Sequence, residues 1–158
     1  ASLCISKGLG APVGAVLVGD REFIARAHRW RKMLGGGMRQ AGVLAAAGHY
    51  ALQHHVRRLA EDHANLHTLA SGLRAVGENH PVLRGRITVH PWQTNILFTD
   101  VQADVAPAFT AWLAQHQIRV TSSLYGGQSR LRWVTHLDVN AADVQAALDC
   151  VARFTLPG

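Results

Sequence analysis

A single lysine, Lys7, stands on a glycine-rich run directly after an apolar segment, and it is the residue with the clearest chemical potential. The run reads Ser-Lys-Gly-Leu-Gly-Ala-Pro-Val-Gly over residues 6–14. A lysine amine attacks a carbonyl and forms a Schiff base once desolvation or a nearby cation has lowered its pKa. Glycines let the backbone approach a bulky cofactor closely. The spacing suits a cofactor lysine, although an ordinary turn with a solvated charge is the commoner explanation of such a run.

Two arginines could bind a carboxylate. Arg130 and Arg132 lie two residues apart in a predicted strand, so their side chains should point to the same face. A planar guanidinium makes two parallel hydrogen bonds to a carboxylate, which an ammonium group cannot do. A solvated edge strand is the commoner explanation of such a pair, and the spacing alone does not choose between the two arginines.

A second cationic group surrounds the three glycines at 35–37, with Lys32 before them and Arg39 after them. Its order differs from the phosphate-binding Gly-x-x-x-x-Gly-Lys-Ser/Thr loop. Two interpretations stay open. The cations bind a phosphate or a substrate, or they are surface charges that bracket the end of a helix.

Three separated blocks, at residues 4–14, 29–40 and 132–138, resemble the L-threonine aldolase family in sequence and in order. The resemblance implies a pyridoxal-phosphate (PLP) lyase of the aspartate-aminotransferase fold, known as fold type I. Lys7 would then be the Schiff-base lysine, with Ser6 beside it in the cofactor-binding segment, and Arg132 would bind the substrate carboxylate. Lys32 and Arg39 would lie near the active site of an adjacent subunit.

The same resemblance implies a reaction and an organisation. The reaction is the cleavage of L-threonine, L-allo-threonine or a related β-hydroxy amino acid to glycine and an aldehyde, in a homodimer or homotetramer. Because the family carries its lysine well inside the chain, we expect an N-terminal half to be missing and the 158 residues alone to be inactive. Two alternatives remain: a noncatalytic C-terminal fragment or assembly module, and a PLP lyase of another type that performs β-elimination or dehydration.

The fold class that follows is α/β, as the C-terminal part of a fold type I chain. We expect residues 1–50 to be a remnant of the large PLP-binding domain, 51–77 a connecting helix, and 78–158 a small α/β domain. In the remnant, residues 2–6 and 14–18 are predicted to be strands of a sheet buried on both faces. Cys4 is expected to pack within that sheet.

Helical periodicity gives the remaining elements. Asp20 is predicted to cap a helix that ends at Gly35, and a helical stretch from 38 to 77 should break near residues 53–55. Further on, we predict strands at 87–90, 95–99, 118–121 and 130–135, a helix at 104–116, and a last helix capped by Asn140 with Asp143.

Composition narrows the function classes. The 158 residues are 48% apolar and carry a formal net charge of +6. The cations lack the interleaved aromatic residues that stack nucleic-acid bases, which disfavours a nucleic-acid binder and favours a small anion. No apolar run approaches the roughly 20 residues of a membrane span, and the N-terminus does not have the layout of a signal peptide.

Cysteine and histidine usage completes the sequence-based expectations. Cys4 and Cys150 have no metal-ligand spacing, which predicts free thiols in a reducing cytoplasm. His63 and His67 are four residues apart on a predicted helix, but no third ligand completes a zinc pattern. We therefore predict no metal site.

Overall fold

The structure is a computed structural model that describes residues 1–156. The chain divides into two compact units, Ala1–Leu59 and Ala60–Gly158, called here the first unit and the second unit. The first unit contains strands β1 (Ser2–Cys4) and β2 (Ala15–Leu17) and helices α1 (Arg21–Met33) and α2 (Gly42–His54). Helix α3 (Leu59–Asn79) begins at the boundary. The second unit continues with β3 (Ile87–Val89), β4 (Ile96–Val101), α4 (Ala106–Gln115), β5 (Thr121–Tyr125), β6 (Gln128–Val134) and α5 (Ala141–Ala152).

In the first unit, β1 and β2 form a two-stranded antiparallel sheet. All six of their residues are exposed, Cys4 included. The prediction of strands buried on both faces, with Cys4 packed inside, is therefore wrong for this chain. In the described part of this chain the two strands pair only with each other, and a two-stranded sheet without further strands or a second layer leaves its residues exposed.

Helix α1 begins and ends as predicted. The Asp20 carboxylate accepts a hydrogen bond from the backbone N–H of Phe23 at 2.8 Å. Gly35, just after the helix, has a φ of +86°, which a residue with a side chain rarely adopts. The predicted break is also present, because α2 ends at His54 and α3 starts at Leu59.

The second unit is a four-stranded antiparallel sheet in the order β3-β4-β6-β5. Its core combines one face of this sheet with apolar residues of α3, α4 and α5, and Phe109, Leu97 and Leu131 are fully buried. On α3 the buried residues Leu66, Leu69, Ala70 and Leu73 follow helical spacing. Asn140 and Asp143 form the predicted capping box of α5.

One strand was predicted in the wrong place. Strand β5 covers Thr121–Tyr125 rather than residues 118–121. Ile118 and Val120 do pack against the core, but they do so from the connection that precedes the strand. Their apolar character therefore reflects burial and not sheet pairing.

Candidate functional site

In the first unit, Lys7 lies on a turn that hydrogen bonds hold on both sides. Gly10 N–H donates to the Lys7 carbonyl at 2.8 Å, and Ala11 N–H donates to the Ile5 carbonyl at 3.0 Å. Ile5, Leu9 and Ala11 are buried with Ala51 of α2 in a small apolar cluster. Lys7 itself is exposed. The turn is thus anchored by its apolar residues and presents the lysine outward.

The glycines of this loop have two different roles. Gly10 and Gly14 have φ values of +69° and +115°, which disfavour any residue with a side chain. Gly8 is instead limited by packing, because a Cβ there would lie 3.0 Å from a methyl carbon of Leu59. His55 also holds the loop, since its Nδ1 donates to the Leu9 carbonyl at 2.6 Å. Sequence reasoning missed His55, because 46 residues separate it from Leu9.

Ser6 contacts the thiol that precedes it. Its hydroxyl lies 3.4 Å from the Cys4 sulfur. The hydrogen bonds from the Ser6 side chain and backbone, helped by the charge of Lys7, lower the pKa of the Cys4 thiol. Among the described residues, the Lys7 side chain itself makes no hydrogen bond or ion pair.

Lys32 and Arg39 are both exposed at the loop that follows α1. Gly36 N–H donates to the Arg31 carbonyl at 2.8 Å, which folds the loop back on the last helical turn. Lys32 lies over Gly37, because its Nζ is 3.0 Å from where a Cβ of residue 37 would stand. Within residues 1–156, neither the Lys32 nor the Arg39 side chain makes a hydrogen bond or an ion pair.

In the second unit, the sheet face opposite the core carries the two arginines. Arg130 and Arg132 alternate with the buried residues Leu131 and Trp133, so both point to this outer face as predicted. We call it the arginine face. Strand pairing places Arg130 opposite Asp100 of β4, and Arg132 opposite Phe98.

Arg130 is committed to a local network on the arginine face. Its Nε and Nη2 donate to Asp100 Oδ1 and Oδ2 at 2.7 and 2.8 Å. His90 Nε2 lies 2.7 Å from Asp100 Oδ2, and because a carboxylate only accepts, the histidine is the donor. The guanidinium also stacks on Tyr125, with its central carbon 3.9 Å from the ring centroid. The hydrogen bonds from Arg130 and then from His90 hold the pKa of Asp100 at about 2.

Arg132 differs from its neighbour. It is exposed, and within the described part of the chain it makes no hydrogen bond, ion pair or ring contact. Its guanidinium is available for a ligand, whereas that of Arg130 is already paired. The structure thus separates two arginines that their spacing left equivalent and that only the family resemblance had distinguished.

His63 and His67, four residues apart on α3, belong to no cluster of potential metal ligands among the described residues. Among residues 1–156, no group of three or more His, Cys, Asp or Glu side chains is placed to hold a metal ion. No helix in that range is long and apolar enough to cross a membrane.

Sequence comparison assigns the chain to a class. A family model described as beta-eliminating lyase matches residues 1–104, and the chain belongs to that family. The low specificity L-threonine aldolase of Escherichia coli strain K12 is 46% identical over 139 residues, which are 88% of this chain and 38% of that protein. A probable low-specificity L-threonine aldolase 2 of Arabidopsis thaliana is 41% identical over 97% of this chain and 41% of its own length. The resemblance inferred from the three sequence blocks is confirmed, and the chain spans about two fifths of these curated relatives.

Structural comparison confirms the fold class. The crystal structure of 8-amino-7-oxononanoate synthase from Francisella tularensis aligns with a TM-score of 0.69. The alignment covers 96% of this chain and 44% of that one, at 16% identity. Both units therefore have counterparts in a longer α/β enzyme chain.

Proposed function

We propose that this chain is part of a PLP-dependent aldolase that cleaves L-threonine, L-allo-threonine or a related β-hydroxy amino acid to glycine and an aldehyde. The observation that carries the proposal is the match over 97% of the chain to a relative named as an L-threonine aldolase. A match of that extent includes both the Lys7 loop and the arginine face.

The residues of the Lys7 loop fit PLP in their chemistry. When bound, PLP supplies an aldehyde for the lysine and a ring that accepts electrons from the breaking bond. Lys7 has an exposed primary amine that makes no hydrogen bond or ion pair with another described side chain. It stands on a turn fixed by Gly10, Gly14 and His55. Rigid support of this kind keeps a reacting group in one orientation. Lys7 would hold the cofactor, with Ser6 next to it.

Arg132 would bind the substrate carboxylate. Cleavage at the Cα–Cβ bond, rather than at another bond of the same carbon, requires that bond to stand perpendicular to the electron-accepting ring. A bidentate grip on the carboxylate sets that orientation, and an unpaired guanidinium on a rigid strand supplies it.

The test of the cofactor lysine is simple, because Lys7 and Lys32 are the only two lysines in the chain. Borohydride reduction of the full-length protein loaded with PLP should fix pyridoxyl mass on the peptide that contains Lys7. Label on the Lys32 peptide, or on neither peptide, would refute the assignment.

A second candidate reaction, β-elimination, is favoured by the description of the matching family model. The products distinguish the two. Aldol cleavage of L-threonine gives glycine and acetaldehyde in equal amounts, whereas dehydration followed by loss of the amine gives 2-oxobutanoate and ammonia. We expect glycine and acetaldehyde, and a predominance of 2-oxobutanoate would replace the aldolase by the elimination reaction.

The remaining assignments belong to the same proposal. The enzyme would be a cytoplasmic homodimer or homotetramer, with residues 1–50, 51–77 and 78–158 as the large-domain remnant, connecting helix and small domain. Lys32 and Arg39 would serve a neighbouring subunit. Hybrid oligomers of Lys7→Ala and Arg39→Ala chains should then recover activity, and hybrids that form but stay inactive would count against a shared site.

A further inference from the structure

The arginine face contains a carboxylate that could compete with a substrate for Arg132. Asp100 lies opposite Arg130 in the strand register, and Arg132 is two residues further along the same strand. Such diagonal neighbours on one face of a sheet are about 7 to 8 Å apart at the backbone, within reach of a long side chain. The Asp100 carboxylate is therefore an internal mimic of the amino-acid carboxylate that Arg132 is proposed to bind.

In the structure this carboxylate is fully engaged elsewhere. Its Oδ1 accepts from Arg130 Nε, and its Oδ2 accepts from both Arg130 Nη2 and His90 Nε2. The side chain of Asp100 is only 10% exposed, and that of Arg130 is 23% exposed. Stacking on Tyr125 fixes the Arg130 guanidinium further, so it is not free to leave.

The geometry points to Arg130 as a positioning residue that, together with His90, keeps Asp100 away from Arg132 and so leaves the Arg132 guanidinium free for the substrate carboxylate. This inference rests on the proposed function, because it assumes that Arg132 binds an amino acid. It goes beyond it by giving a role in substrate affinity to three residues that do not touch the substrate.

A carboxylate with little exposure to water is stabilised by cationic hydrogen-bond donors, and this is why Asp100 would compete for Arg132. If Arg130 is removed, Asp100 keeps only His90, and a half-paired, nearly buried charge is unfavourable. Arg132 lies diagonal to Asp100 on this face, so its guanidinium can reach the carboxylate. An intramolecular ion pair between them would withdraw Arg132 from the substrate. The opposite change, removal of the Asp100 charge, creates no competitor.

The test compares removal of Arg130 with removal of the Asp100 charge, in the full-length protein with PLP. Arg130→Met should raise both the KM for L-threonine and the calorimetric Kd for glycine about 5- to 10-fold, with little change in kcat, because a partly exposed pair competes only modestly. Asp100→Asn breaks the same ion pair but should leave KM and Kd within about twofold of the parent protein. The double variant Asp100→Asn/Arg130→Met should return both constants to about the parent level. PLP content and the melting temperature show whether each variant is folded.

Several outcomes would overturn the inference. Equal increases in KM for Arg130→Met and Asp100→Asn would make the pair a structural link of the sheet and nothing more. A double variant as impaired as Arg130→Met would show that Arg130 itself binds the carboxylate. A crystal structure of Arg130→Met without an Arg132–Asp100 ion pair would remove the proposed cause.

One further variant separates this inference from the function on which it rests. Arg132→Met should weaken glycine binding more than Arg130→Met does. If Arg132→Met leaves the Kd for glycine unchanged, Arg132 does not bind the carboxylate, and both proposals fail. If Arg132→Met weakens binding while Arg130→Met has no effect, only the positioning role of Arg130 fails.

Discussion

The two units of this chain bury their apolar residues to very different degrees. In the second unit, both the sheet and three helices contribute to one core, in which Phe109, Leu113 and Leu131 have no exposed surface. In the first unit, the buried cluster contains only Ile5, Leu9, Ala11 and Ala51. Helix α1 buries no residue, and its Trp30 is 59% exposed.

This difference in packing determines how firmly each unit holds its proposed functional residue. The arginine face lies on strands whose other side is fully packed, so Arg132 is carried by a rigid element. The Lys7 loop depends on a few contacts, chiefly the apolar cluster that contains Leu9 and the hydrogen bond from His55. In this chain the first unit therefore has the smaller buried cluster of the two, and the following predictions test that contrast.

The largest expected effect concerns the proposed chemistry of the first unit. Lys7→Ala in the full-length protein should lower kcat/KM for threonine cleavage by about 10³-fold or more, as expected when a covalent residue is lost. Lys32→Ala removes the other lysine of the same unit, and its effect should be smaller, because Lys32 is proposed to bind in a neighbouring subunit's site without forming a covalent bond. Initial rates of acetaldehyde release measure both. Comparable losses in the two variants would contradict the assignment of Lys7.

Core truncation should then distinguish the units by stability. Phe109→Ala removes a fully buried ring from the second unit and should lower the free energy of unfolding by about 3 to 5 kcal/mol. Trp30→Ala in α1 should change it by less than about 0.5 kcal/mol, because that ring is mostly exposed in this chain. Urea unfolding of the 158-residue chain measures both values. A large loss from Trp30→Ala would mean that the first unit packs more tightly than the structure shows.

The Asp100 network gives a pH-dependent effect in the second unit. The folded-state pKa of about 2 lies below the ordinary value of 3.8. The carboxylate therefore contributes stability above the unfolded-state pKa, and that contribution disappears as pH falls through about 4 towards about 2. At neutral pH we expect the chain to exceed the Asp100→Asn variant in stability by about 1 to 2 kcal/mol. Urea unfolding across this pH range should show the gap closing, and a constant gap would contradict the assigned pKa.

The smallest effect compares the two helix caps. Asn140→Ala should lower the free energy of unfolding by about 1 kcal/mol, because α5 is part of the core and its capping box is complete. Asp20→Ala removes a similar hydrogen bond from α1 but should act mainly by fraying that helix. Hydrogen exchange resolves the two cases: protection in α1 should fall locally after Asp20→Ala, while unfolding of the second unit stays unchanged. A global loss after Asp20→Ala would show that the two units unfold together.

Much of this molecule could be predicted from short stretches of sequence. The caps at Asp20 and Asn140 and the helix end at Gly35 depend on residues within one turn of each other, so local chemistry was enough to place them. The family resemblance likewise came from three separated blocks, each a continuous run of residues, and the sequence and structural matches confirm it.

Other features depend on residues far apart in the chain, and only the tertiary structure decided them. The spacing of Arg130 and Arg132 did not distinguish them, and the family resemblance chose Arg132 without a physical reason. What separates them in the structure is Asp100, 30 residues from Arg130, which strand pairing sets opposite Arg130 and diagonal to Arg132. The contact of His55 with the Lys7 loop and the exposure of β1 and β2 are equally non-local. Local sequence determines backbone preferences and caps, but which charges meet, and which strands are covered, is set by sheet register and by packing between distant segments.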